Sequence, residues 1–276
     1  MSSKTVAWTL LAAVALTGVL LLNYWAAYQP LSTLVYSGIV LALCGLANLV
    51  VPFRFLGVRK RAVGALVLAG GVALALTGLF WPAPIIRVAQ HKTRLDEILP
   101  EYQFSERHSK RVHARREQVM KAIRESTFDD MKSLVTLLKI RGAAARIPVH
   151  ESDWKGKRIL DSFSASGYLS GGSEHEVLML GIWNARANRR PDVHTLQEIA
   201  DCREQGAVKM GYDFVVEEAG DGWSEITAET RVLALDDTGR GMAQYWRLIV
   251  PGSGLLRLQW LDGIKRRAES MPNPQS

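Results

Sequence analysis

The amino-acid sequence predicts an α+β protein, with N-terminal transmembrane helices followed by an antiparallel sheet and a long C-terminal helix. Three observations lead there. Residues 1–84 contain no Asp or Glu and hold three apolar runs of spanning length. Residues 208–216 alternate in the two-residue period of a strand, with Val208, Met210, Tyr212, Phe214 and Val216 on one face. From Met242 to Ile264, large apolar residues recur every three or four positions, the spacing of one buried helical stripe.

The charge is unevenly placed. The chain has 276 residues, with 34 Lys+Arg against 27 Asp+Glu. Five of the basic residues (Lys4, Arg54, Arg59, Lys60 and Arg61) lie in the first 84, which leaves 29 basic against 27 acidic in the remainder. The soluble part is thus nearly neutral, and no basic face marks a nucleic-acid partner. Cys44 and Cys202 stand alone, without a CxxC pair or a His/Cys cluster. This excludes a disulfide framework and a cysteine-rich zinc site.

The runs are Val6–Trp25, Leu31–Val51 and Ala62–Trp81, closed by Pro30, Pro52 and Pro82 and flanked by Trp8, Tyr24, Trp25, Tyr28 and Trp81. Prolines at the ends and interfacial aromatics both suit membrane spans. Trp25-Ala-Ala27 makes a poor cleavage site, so the first run reads as an uncleaved anchor. With three spans, all five basic residues fall on one side, and Arg87, Lys92 and Arg94 follow the third span on the other. The positive-inside rule then places the N-terminus in the cytoplasm and the C-terminal domain outside it. The chain reads as a multi-pass protein of the cell membrane. Ala65, Ala69 and Ala73, and Gly71 with Ala75, form small-residue faces that permit close packing within the chain or a homodimer. Since no Asp, Glu, Lys or Arg lies within a span, transport is not expected.

Beyond the spans, 85–103 reads as a juxtamembrane connector, 104–270 as one folded domain and 271–276 as a disordered tail. A period-2 strand covers Phe104–Ala114, and a helix buries Val119, Met120 and Ile123. A second helix starts after the capping-box-like Thr127–Asp130 and stops near Gly142. Strands follow at Gly167–Leu169 and His175–Trp183, then a short helix near Thr195–Cys202. The clearest strand, from Val208, turns at Ala219–Gly222 into Trp223–Leu235, where Glu225, Glu229 and Arg231 are expected on a wet face. Pro251-Gly-Ser-Gly254 is expected to kink or break the last helix.

Reactive constellations are scarce. There is no P-loop, no HExxH and no GxGxxG after a strand. Gly252-Ser-Gly254 lacks the strand-turn-helix setting of a nucleophile elbow. His108 and His113, an odd number apart on a strand, point to opposite faces, hold no common metal and read as surface histidines. The inward face of the best strand carries neither carboxylate nor histidine, so no catalytic residue, metal or cofactor is assigned and an enzyme is not favoured. Arg247 is expected to face water.

The order strand, two helices, antiparallel strands and long helix resembles the helix-grip fold of the START-like, or polyketide-cyclase-like, superfamily over about 100–270. Leu99-Pro-Glu-Tyr-Gln-Phe-Ser-Glu-Arg-His108 and Tyr245-Trp-Arg-Leu-Ile-Val-Pro-Gly-Ser-Gly254 are similar to segments of uncharacterised bacterial members. The resemblance implies a curved sheet around the last helix, with a cavity between them. It makes Met210, Tyr212, Phe214, Trp246 and Trp260 the candidate lining, with Tyr212 the best placed for a polar contact. The implied function is membrane-anchored binding of a hydrophobic small molecule or lipid. The alternatives are an interaction module with a filled core and a cyclase-like cavity enzyme.

Overall fold

The computed structural model describes Gly18, Leu21, Tyr24 and residues 29–50, 61–145, 150–236 and 238–272. Two compact units share the chain: Met1–Pro82 with Ala243–Ser253, and Ala83–Met242 with Gly254–Ser276.

In the first unit, α1 (Pro30–Val50) and α2 (Arg61–Phe80) are long and apolar enough to cross a membrane, by length and composition. They correspond to the second and third predicted spans. The first, Val6–Trp25, lies outside the described residues apart from Gly18, Leu21 and Tyr24. The contact between α1 and α2 runs along glycines seven residues apart, Gly38 and Gly45 facing Gly64, Gly71 and Gly78, all buried. A Cβ at Gly38 would lie 2.4 Å from the Ala75 backbone nitrogen, and one at Gly71 2.3 Å from that of Ala42. Glycine is therefore a steric requirement at this contact. Ala65, Ala69 and Ala73 lie instead on the exposed side of α2.

Residues 243–253 of the last helix also belong to this unit. Arg247 is buried and does not face water as expected. Its Nη1 donates to Leu79 O at 2.7 Å and its Nη2 to Pro82 O at 3.4 Å. Leu79 O lies in the last turn of α2 and Pro82 O just beyond it, where oxygens without helical partners and the negative end of the dipole attract a cation. Tyr36 Oη donates to Leu248 O.

The second unit is built on a five-stranded antiparallel sheet in the order β3-β7-β6-β5-β4. Its strands are β3 (Phe104–Val112), β4 (Leu169–Gly172), β5 (Glu176–Asn184), β6 (Ala207–Glu218) and β7 (Ser224–Ala234). One face carries α4 (Arg116–Glu125), α6 (Ile159–Ala165) and the second half of α8 (Thr238–Glu269), which bury Val119, Ile123, Ile159, Leu261 and Ile264 against Phe214, Ile226 and Ala228. The other face carries α3 (Arg94–Ile98) and α7 (Leu196–Asp201), with Leu95, Leu99 and Ile199 packed on Leu178, Leu180 and Leu233.

Several sequence expectations change here. The stretch read as a connector holds β1 (Ile86–Arg87), α3 and β2 (Glu101–Tyr102), and β1 pairs with β2. Because α3 and α7 cover part of the far face of the sheet, Arg231 is 5% exposed and Glu229 half-buried, while Glu225 is exposed as expected. The Thr127–Asp130 capping box exists, but it closes a 3-10 turn, and α5 (Leu134–Ala145) begins later and runs past Gly142. Nor does Pro251 break α8. Buried anchors on both sides of it, Trp246 and Val250 before and Trp260 and Leu261 after, outweigh the ~3 kcal/mol cost of an internal proline.

Candidate functional site

Antiparallel pairing aligns side chains in rows across the sheet. Glu106 on β3 pairs with Thr230 on β7, and Thr230 with Tyr212 on β6. The neighbouring rows are His108, Ala228 and Phe214, and Phe104, Val232 and Met210. All nine residues share the face that meets α8. From α8, Arg257 donates to Thr230 Oγ1, and its guanidinium lies 5.3, 5.6 and 5.4 Å from the ring centres of Tyr212, Phe214 and Trp260.

The result is a polar group embedded in an aromatic wall. Glu106 is 1% exposed, Thr230 2%, Arg257 5% and His108 8%. His108 Nε2 and Glu106 Oε1 are 3.0 Å apart. Two atoms of this group, Glu106 Oε2 and Arg257 Nη1, have no hydrogen-bond partner among the described residues. Burial pulls the Arg257 guanidinium below its ordinary pKa, and the nearby Glu106 and Tyr212 oppose that shift. Leaving a buried donor or acceptor unmade costs ~1–3 kcal/mol, more for charged groups, so such atoms mark a place where something binds or where strain is held.

Around them the rings pack closely. Phe163 of α6 lies 4.9 Å from both Tyr168 and Tyr212, and Phe214 lies 4.6 Å from Trp260. Trp260 Nε1 is fixed on Ser126 Oγ at 2.8 Å. Tyr212, Phe163 and Tyr168 remain half-buried, which makes them the rim of the site.

Four of the five predicted lining residues, Met210, Tyr212, Phe214 and Trp260, therefore share one face of the second unit. Trp246 is 3% exposed and belongs to the first unit. His108 is buried rather than on the surface, and the inward face does carry a carboxylate and a histidine, on β3 rather than β6. Glu106, His108, Thr230 and Arg257 were missed because the face was judged from β6 alone. The signal was present. Glu106 and His108 alternate in phase with Phe104 and Val112, and Arg257 falls four residues after Ser253 and three before Trp260 on the apolar stripe.

The opposite face holds a second buried charged group. Arg231 bonds Asp96 at 2.7 Å and Glu229 at 2.5 Å, and Glu176 accepts from the backbone nitrogens of Arg94 and Leu95. Asp213 is buried beside Glu176, and burial together with that carboxylate and Glu229 pushes its pKa up to about 8 against the pull of Arg231. Lys209 donates to Ala200 O at 2.6 Å, and burial lowers its pKa to about 8.

Two open surface depressions, of about 770 and 650 Å³, lie elsewhere, one along Arg189–Glu204 and one along Asp153–Ser166. Neither is lined by Glu106, Arg257 or the four aromatic-face candidates. Among the described residues, no group of three or more His, Cys, Asp or Glu side chains is placed to hold a metal ion. Comparison with protein-family models, with curated proteins and with solved structures gives no match.

Proposed function

We propose that this protein is a membrane-anchored binder of a hydrophobic small molecule or lipid, held between the sheet and α8 of a helix-grip, START-like domain. One observation carries the reading: Glu106 Oε2 and Arg257 Nη1 are both buried and unpartnered on the face lined by Met210, Tyr212, Phe214 and Trp260. The helices α1 and α2 supply the anchor. Ligand sites of this kind combine apolar walls with a few polar groups that orient the guest.

The test is native mass spectrometry of the full chain in lipid nanodiscs, with solvent extraction of the bound material. A reproducible extra mass, lost in Tyr212→Ala and in Arg257→Gln, supports the binder. A clean apo mass, with no uptake from a total lipid extract, overturns it.

A second reading rests on the ring packing. With Tyr212, Phe163, Trp260 and Phe214 linked in one chain of ring contacts, the face serves as a filled core and the domain acts through its surface. In that case Tyr212→Ala lowers stability and leaves the mass spectrum unchanged.

A further inference from the structure

The chemistry of the two unpartnered atoms restricts the ligand further, an inference that rests on the binding reading above. Arg257 Nη1 only donates and a carboxylate Glu106 Oε2 only accepts. Arg257 has Thr230 Oγ1 as its one hydrogen-bond partner among the described residues, and Glu106 has His108. Among the described residues no carboxylate forms an ion pair with Arg257, so the two opposite charges share a site without closing on each other. A guest that satisfies both must accept from Arg257 and donate to Glu106.

That rule separates ligand classes. An anionic head satisfies Arg257 but sets its charge against Glu106 and offers it no proton. An ammonium head satisfies Glu106 but faces the guanidinium and offers no acceptor. A neutral head carrying a donor and an acceptor side by side meets both. The walls agree with a flat guest, since Tyr212 and Trp260 lie beside the guanidinium and Phe163 stacks with Trp260 at 6.3 Å and 10°. We propose that the Glu106–Arg257 pair selects an uncharged donor–acceptor head group, of the amide or lactam type, on an apolar and preferably planar body.

The experiment compares three probes with one ring system: 2-naphthamide, 2-naphthoate and 2-naphthylmethylammonium. Binding to the full chain in nanodiscs is measured by equilibrium dialysis at pH 7, with empty nanodiscs as the blank. The amide is expected to bind at least tenfold more tightly than either charged probe, because a site built to hydrogen-bond its guest rejects analogues that leave its buried groups unpaired. Glu106→Gln puts a donor where the acceptor was, so the carboxylate probe should gain tenfold and the amide lose its lead. If naphthoate or the ammonium binds as well as the amide to the native chain, the proposed class is wrong while the binding function stands. If no probe binds and extraction yields no lipid, the binding function itself falls. An unchanged ranking in a folded Glu106→Gln chain removes Glu106 from the site. Should that variant fail to fold, the ranking on the native chain decides.

Discussion

Thr230 stands directly opposite Glu106 on the β3–β7 ladder, yet its hydroxyl is taken by Arg257 from the helix above. One threonine therefore ties the sheet to α8 within their buried contact. Thr230→Val keeps the shape and removes the acceptor, leaving a second guanidinium nitrogen unpaired. The expected loss is about 1–3 kcal/mol of stability, read by chemical denaturation under near-UV circular dichroism. Thr230→Ser should recover most of it. Equal stability of the valine and native chains would mean that water already satisfies Arg257.

The far face of the sheet makes stability depend on pH in two opposite ways. The folded pKa of Asp213 is raised above that of the unfolded chain, so the folded state binds the extra proton and stability falls as pH rises from about 4 to about 8. Lys209 is depressed, so its burial penalty is lifted as pH rises from about 8 toward its ordinary 10.5. Together the two give a stability minimum near pH 8. Glu176 on β5, and Glu229 and Arg231 on β7, are the charges that face Asp213. Asp213→Asn should flatten the descending limb, and Lys209→Met the rising one. Thermal melts at half-unit pH steps would show both, and a native curve that climbs steadily from pH 5 to 8 would refute the assignment.

Between α1 and α2 the prediction is steric. A methyl group at Gly38 meets the Ala75 backbone, which has no flexible end to move aside. Gly38→Ala should part the helices and cost ~1–3 kcal/mol, as overpacking does. Gly70→Ala, where nothing among the described residues lies within 4 Å, should be neutral or slightly stabilising. Thermal unfolding in detergent compares the pair, and equal melting points would show that the contact is looser than described.

Orientation is tested by fusion. The five basic residues on the N-terminal side predict a C-terminal alkaline phosphatase fusion that is active and a C-terminal fluorescent protein that is dark. The reverse pattern would place the sheet unit in the cytoplasm.

Periodicity made some elements readable and hid others. Val208 to Val216 and Ile226 to Ala234 alternate cleanly, and both are strands at those positions. The polar half of the site was hidden because it combines single residues from β3, β7 and α8, and only the pairing register shows that Glu106, Thr230 and Tyr212 form one row. Arg231 misled for a related reason. Charged positions on an alternating strand read as solvent-facing, and nothing within the strand shows that Asp96 and the Leu99 carbonyl will meet Arg231. Pro251 misled in the other direction, since a local rule about helix breaking carries no information on the partners that hold both sides of the break.

The two units are interleaved along the chain, since the first needs residues 243–253 and the second is left incomplete until 254–276 follow. A ribosome must therefore make every strand of the sheet before Arg247 can reach the carbonyls of Leu79 and Pro82. The apolar hairpin thus waits for its last partner through some 160 further residues of synthesis, at about 5–20 residues per second. A nascent chain stalled before position 243 would carry α1 and α2 without that cap, open to whatever quality control inspects newly made helices.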